Sequence, residues 1–219
     1  MGTIEPDYRA GCIHIHSVFI TYGGAADFAI TRQIAAETEM MWNDAAARIY
    51  WKNRLYDVRF HITAQYNSLL QPDTVTQNRQ PKHNFIRIED YAHRNISVMD
   101  AVGSNTGYFL RDNLYPGSTT AAHEYGHSLG LPHPADLNIV GKGIPGIMYP
   151  RGTLVSPEFQ YDPKVRPGEG GGTLNPVFRK VRQQDIDLLD IAGWLEKDRY
   201  VLGKFTNKYH EVQVREKRE

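Results

Sequence analysis

His123-Glu124-Tyr125-Gly126-His127-Ser128-Leu129-Gly130-Leu131-Pro132-His133 is the stretch on which the reading of this chain turns. Histidines four apart project from one face of a helix, so His123 and His127 can grip one zinc ion at Zn–N distances of about 2.0–2.1 Å. Glu124 follows the first ligand and points to the same side without needing to bind. Gly130 stands where the helix has to stop, because glycine alone reaches a positive φ cheaply. His133 then returns from another direction. Three neutral imidazoles leave a fourth position open for water, the arrangement of a catalytic zinc rather than a structural one. A bare H-E-x-x-H arises often by accident. Fixing His123, Glu124, His127, Gly130 and His133 together lowers the chance of an accidental match in 219 residues to on the order of one in 10⁵.

Those residues resemble the zinc-binding motif of the metzincin metallopeptidases. That family carries a Met-turn downstream, a tight turn whose methionine lies beneath the metal, and Ile147-Met148-Tyr149-Pro150 resembles it. Met-Tyr-Pro is similar to the matrixin (matrix-metalloproteinase-like) version. The astacin-like version has a metal-binding Tyr two places after the Met, where this chain has Pro150. The resemblance covers His123 to Pro150. It implies an α+β, metzincin-like (zincin) catalytic domain: a twisted, mostly parallel five-stranded sheet with two helices, then an irregular lower subdomain ending in a C-terminal helix. Met148 is not expected to bind the metal. The edge strand offered to a peptide substrate falls at about Ser97 to Val102, with Val98 and Ala101 in contact. Tyr149 and Pro150 are expected in the wall of the pocket for the residue after the scissile bond, with a hydrophobic preference there. Secretion is implied in the same way. Calcium sites are common in matrixins; Asp57, Asp90, Asp100, Asp112 and Asp162 are candidates, but none stands in a recognisable calcium loop and no site is assigned.

The motif also prescribes a chemistry. Zinc lowers the pKa of its bound water toward about 7 and polarises a carbonyl, and Glu124 is placed to take the water's proton and deliver it to the leaving amine. The expected function is therefore a zinc-dependent endopeptidase acting on protein or peptide substrates with one catalytic zinc ion. Two other classes use the same ligands: a zinc-dependent amidase of another substrate class, with a closed, small pocket, and a non-catalytic zinc-containing protein-binding module. Asp136 could orient a histidine from behind, but a loop aspartate more commonly caps its own turn.

Composition narrows the partners. Lys and Arg number 25, Asp and Glu 25, so no net field favours nucleic acid or an anionic membrane, and no apolar run of about 18 residues offers a membrane span. A monomer is expected. Cys12 is the only cysteine, so no intrachain disulfide forms; within Cys12-Ile13-His14-Ile15-His16 it reads as a strand residue rather than a latency switch on the zinc. Met1 to Asp7 lacks the basic and apolar regions of a secretory signal, and Met1-Gly2 is compatible with a cloning remnant.

Outward from the motif, a single catalytic domain is expected over 1–195, with an upper subdomain of about 8–130 and a lower one of about 131–195, followed by a charged tail, 196–219. Strands are expected at 12–22, 56–66, 84–90, 96–102 and 108–110 from β-branched and alternating residues. His14 and His16 share one strand face, and with no third ligand near them they read as a solvated rim. Ile30, Ile34, Met41, Ala45 and Ile49 form a helical stripe with Trp42, predicting one helix over 26–50. The motif helix runs over 118–129. Glycines and prolines from Pro134 to Pro176 predict an irregular lower half, and 180–195 a final amphipathic helix.

Overall fold

The sheet is built outward from β2 (Cys12–Tyr22). The computed structural model describes residues 1–215. The second half of β2, Ser17 to Tyr22, is buried throughout, as a run of Val, Phe, Ile, Thr and Tyr with little polar alternation requires when both faces are covered. On one side β2 pairs in parallel with β4 (Arg54–Tyr66), from Cys12 opposite Asp57 to Thr21 opposite Tyr66. On the other side two strands share its length. β1 (Gly2–Asp7) runs antiparallel to the first half, and β5 (His83–Glu89) runs parallel to the second. β3 (Arg48–Trp51) closes the far edge, antiparallel to β4. β7 (Thr106–Leu110) is parallel to β5, and β6 (Val98–Met99) is antiparallel to β7 at the other edge. β8 (Val201–Leu202) adds antiparallel to β1.

The result is an α+β fold with a mixed eight-stranded sheet, not a mostly parallel sheet of five. The five expected strands are present, the fourth cut to Val98–Met99. The three additional ones pair antiparallel. β1 carries Gly2 and Pro6 and β8 has two residues, so neither shows enough alternation to be seen alone.

Two helices back the sheet. α1 (Phe28–Asn43) is capped by Asp27, whose Oδ1 accepts from the Ile30 amide at 2.8 Å. It stops well short of the expected residue 50. Ala46 turns the chain at φ 44°, and Ile49, which fits the helical stripe, lies in β3. The Asn43 side chain secures that end by bonding both the amide and the carbonyl of Phe60 at 2.9 Å. α3 (Thr120–Leu129) is the motif helix. Ile13, Ile15, Phe19, Ile34, Trp42, Phe60 and Tyr125 fill the space between sheet and helices. A short α2 (Pro72–Thr76) sits in the loop before β5.

Beyond α3 the chain is irregular to about 180, around a small cluster of Ile139, Val155 and Leu174. The expected final helix is broken into α4 (Gln183–Asp187) and α5 (Ile191–Glu196). Asp190 takes the left-handed conformation at φ 49° and its Oδ1 accepts from the Gly193 amide; aspartate tolerates that backbone and caps well, so one periodic stripe becomes two helices.

Both ends of the described chain are packed. Met1 is buried, its amine donating to Asn84 Oδ1 and its carbonyl accepting from Ser17 Oγ at 2.8 Å. Gly2 opens β1. The charged segment from 196 packs back too, beginning with β8 on β1. After β8 it packs back on the sheet: Asn105 Oδ1 accepts from the amides of Thr206 and Asn207, Tyr209 stacks on Tyr22 beside the Val18, Ile20 and Phe85 cluster, and His210 Nε2 donates to Asp100 Oδ2 at 2.9 Å. Residues 216–219 lie outside the described part.

That last contact has a pH signature. Burial raises the Asp100 carboxyl, but hydrogen bonds from His210 and Thr106 outweigh it and the net shift is downward. A carboxylate depressed in the folded state adds stability above its unfolded value of about 3.9 and loses it as pH falls through the folded value. Asp100→Asn should therefore cost about 1–2 kcal/mol at pH 7. Urea titrations of both proteins should show that difference shrinking below about pH 4; a difference independent of pH would contradict the assignment.

Candidate metal centre

α3 presents two faces. Ala121, Ala122, Tyr125 and Leu129 pack into the core, and Tyr125 reaches the sheet through its hydroxyl, 2.7 Å from Ser17 Oγ. The other face carries His123, Glu124 and His127 to the cleft. Gly126 lies between them because no side chain fits: a Cβ there would collide with Met148 Sδ and come within 3.3 Å of Trp42 Cζ2. Gly130, at φ 116°, ends the helix. The Leu131 amide bonds back to the Gly126 carbonyl at 3.0 Å, and this turn returns the chain so that His133 faces the helix.

The three imidazoles meet. His133 Nε2 is 3.1 Å from His123 Nε2 and 3.0 Å from His127 Nε2. A tetrahedral zinc with Zn–N of 2.0–2.1 Å sets neighbouring nitrogens about 3.3 Å apart. The second ring nitrogens fix the tautomers. His123 Nδ1 donates to the Ile147 carbonyl and His127 Nδ1 to the Leu131 carbonyl, each at 2.7 Å, so both Nε2 lone pairs are directed inward. Burial, with the charge of Arg179, pushes His123 well below its ordinary pKa and lowers His133; in His127 burial and neighbouring His133 do the same against the Leu131 hydrogen bond. Neutral imidazoles are what a metal requires. Among the described residues, only His123, His127 and His133 bring three such donors within 4.8 Å of one another, and a zinc ion fits them.

Glu124 is buried beside them, and its Oε2 accepts from the Met99 amide at 2.8 Å. Burial pushes its carboxyl up to about 8, opposed by that hydrogen bond and by Arg179. The Met99 bond joins the carboxylate to the edge strand β6, so helix and strand are set in one register.

The centre opens into a cleft of about 550 Å³. Val98, Met99, Ala101 and Val102 form one rim; Pro150, Arg151, Gly152 and Arg179 form the other. Of the residues expected to touch substrate, Val98, Ala101 and Pro150 line this cleft. Tyr149 packs against the Ile139, Val155 and Leu174 cluster instead. Met148 is buried beneath α3 against Gly126. Arg179 was missed. An arginine in Val177-Phe178-Arg179-Lys180-Val181 carries no signal of burial, and the fold alone brings it to the cleft.

His14 and His16 gain a neighbour that the sequence did not reveal. His61 on β4 stands opposite, its Nε2 2.8 Å from His14 Nδ1, while His16 pairs with Glu5 at 3.2 Å. The donors lie along the strands rather than meeting at a point.

No family model and no curated protein matches this chain. Among solved structures, archaemetzincin from Methanopyrus kandleri is similar at 12% identity and a TM-score of 0.41, over 80% of this chain and 93% of that one. No helix among the described residues is long and apolar enough to cross a membrane.

Proposed function

We propose that the chain is a zinc-dependent endopeptidase, with His123, His127 and His133 holding the ion and Glu124 as general base and acid. The observation that carries this reading is the convergence of three Nε2 atoms beside a buried carboxylate in the wall of an open cleft. When bound, zinc supplies Lewis acidity and lowers the pKa of the attacking water to about 7. The chain's own residues do the rest. The Ile147 and Leu131 carbonyls hold two imidazoles in the ligating tautomer. Glu124 accepts the water's proton and returns it to the leaving amine; the Met99 amide fixes where that carboxylate sits. β6 is an edge strand, beside which an extended peptide can lie with main-chain hydrogen bonds, Val98 and Ala101 on one side of it and Pro150 on the other. Met148, filling the space under the ligand helix, takes the part of a Met-turn methionine.

A peptide-library digest read by mass spectrometry tests this. Cleavage should vanish with a chelator and return with zinc. Glu124→Ala should lower kcat/KM by about 10²–10⁴-fold while retaining zinc, because Glu124 is not a ligand. Unchanged cleavage in Glu124→Ala, or no cleavage of any peptide by the zinc-loaded protein, would sink the reading.

A further inference from the structure

Arg179 is 5% exposed, yet its guanidinium makes no hydrogen bond to any described residue, and Nε and Nη1 are both fully shielded. A buried charge without a partner is costly, and native structures rarely keep one that has no use. Arg179 lines the cleft with Glu124 and the three histidines. Glu124 is not its partner: no oxygen lies within ion-pair distance, and Oε2 is taken by the Met99 amide. Arg151, on the same rim, adds a second cation whose own contact is the Asn113 side chain at 3.0 Å. Burial lowers the guanidinium pKa to about 10, so it is cationic at neutral pH.

Its position is held from outside the cleft. Thr119 Oγ1 at the head of α3 donates to the Pro176 carbonyl at 2.7 Å. The Arg179 amide bonds back to the same carbonyl at 3.1 Å. The segment is thus anchored to the helix that carries the three histidines, and Nη2 is the guanidinium nitrogen left unshielded in the cleft lining.

We infer that Arg179 binds a carboxylate of the substrate, carried by a residue that flanks the cleaved bond. Nη2 can donate a charge-assisted hydrogen bond to a carboxylate oxygen, and the buried cation behind it favours an anionic ligand over a neutral one. The closeness of Arg179 to Glu124 and all three imidazoles puts that carboxylate beside the reacting carbonyl, not at a remote subsite. This rests on the peptidase reading and replaces the hydrophobic preference expected there. Two sources have the same chemistry: an acidic side chain, and the α-carboxylate of a C-terminal residue.

The test uses peptides that differ only at the two residues flanking the cleaved bond, with Glu, Gln or Leu at each, as free acids and as C-terminal amides. Wild type should cut the Glu or free-acid member about 10–100-fold faster in kcat/KM than its neutral counterpart. Arg179→Gln should erase the difference and Arg179→Lys should keep part of it, with zinc content and circular dichroism unchanged in both. Preference for Glu in an amidated peptide identifies a side chain; preference for the free acid identifies a C-terminus. Equal rates for acidic and neutral members, or equal slowing of both by Arg179→Gln, overturn the inference and leave the peptidase reading intact. Calorimetry of the Glu and Gln peptides on Glu124→Gln protein gives a readout apart from turnover: if no peptide is cut but the Glu peptide alone binds, and Arg179→Gln abolishes that, the peptidase reading fails and the carboxylate site stands.

Discussion

His133→Ala is expected to weaken zinc binding by on the order of 10³-fold while the sheet still folds. Even structural zinc sites in small peptides bind with about 10–16 kcal/mol, and on that scale one ligand of three or four accounts for roughly 4 kcal/mol. The asymmetry between metal and fold comes from where His133 sits. It is an exposed residue past the end of α3, and its Nε2 contacts only the other two ligands. His123 differs, since it is buried and its Nδ1 ties α3 to Ile147 ahead of Met148. His123→Ala should cost both metal and stability. Zinc content by mass spectrometry and urea midpoints of the metal-free proteins separate the two cases. A His133→Ala protein that holds zinc as tightly as wild type would remove the three-histidine site.

The three-histidine cluster was legible because its geometry is local. The i, i+4 spacing of His123 and His127 and the helix-ending Gly130 are read directly from neighbouring residues, and the eleven residues from His123 to His133 suffice to bring three Nε2 atoms together. β2 and β4 were legible for the same reason: each is long enough to show its own pattern. What could not be read depends on distant pairing. β1 exists because β2 leaves half an edge open before β5 begins, and β8 exists because β1 then offers its own edge. The end of α1 was misplaced because Ile49 satisfies the helical period and the strand period at once, and only its pairing with Tyr56 decides between them. Arg179 is the sharpest case. A basic side chain is exposed by default, and nothing near it in the chain says that Thr119, far away in sequence, will hold its segment over the metal ligands.

Trp42→Ala is expected to be the most destabilising single truncation in the core and to disturb the metal centre from behind. The ring is 1% exposed. It packs at 5.0 Å from the Phe60 ring and edge-on at 5.5 Å from Tyr125, so one side chain joins α1, β4 and α3. Its Nε1 also donates to the Ala122 carbonyl at 3.1 Å, one residue before the first histidine. Large-to-small changes of this kind cost about 3–5 kcal/mol, a large part of the 5–15 kcal/mol typical of a whole domain. In a chain of this length that corresponds to roughly 6–20 °C in Tm. Zinc affinity should fall as well, because Trp42 Cζ2 lies against Gly126 and its loss frees the turn of α3 that spaces His123 from His127. Met40, two residues earlier and 53% exposed, is the control: Met40→Ala should change stability by no more than about 0.5 kcal/mol. If Trp42→Ala lowered Tm without weakening zinc, the ligand spacing of α3 would not depend on Trp42, and Met148, which packs on the same side of Gly126, would be the support left.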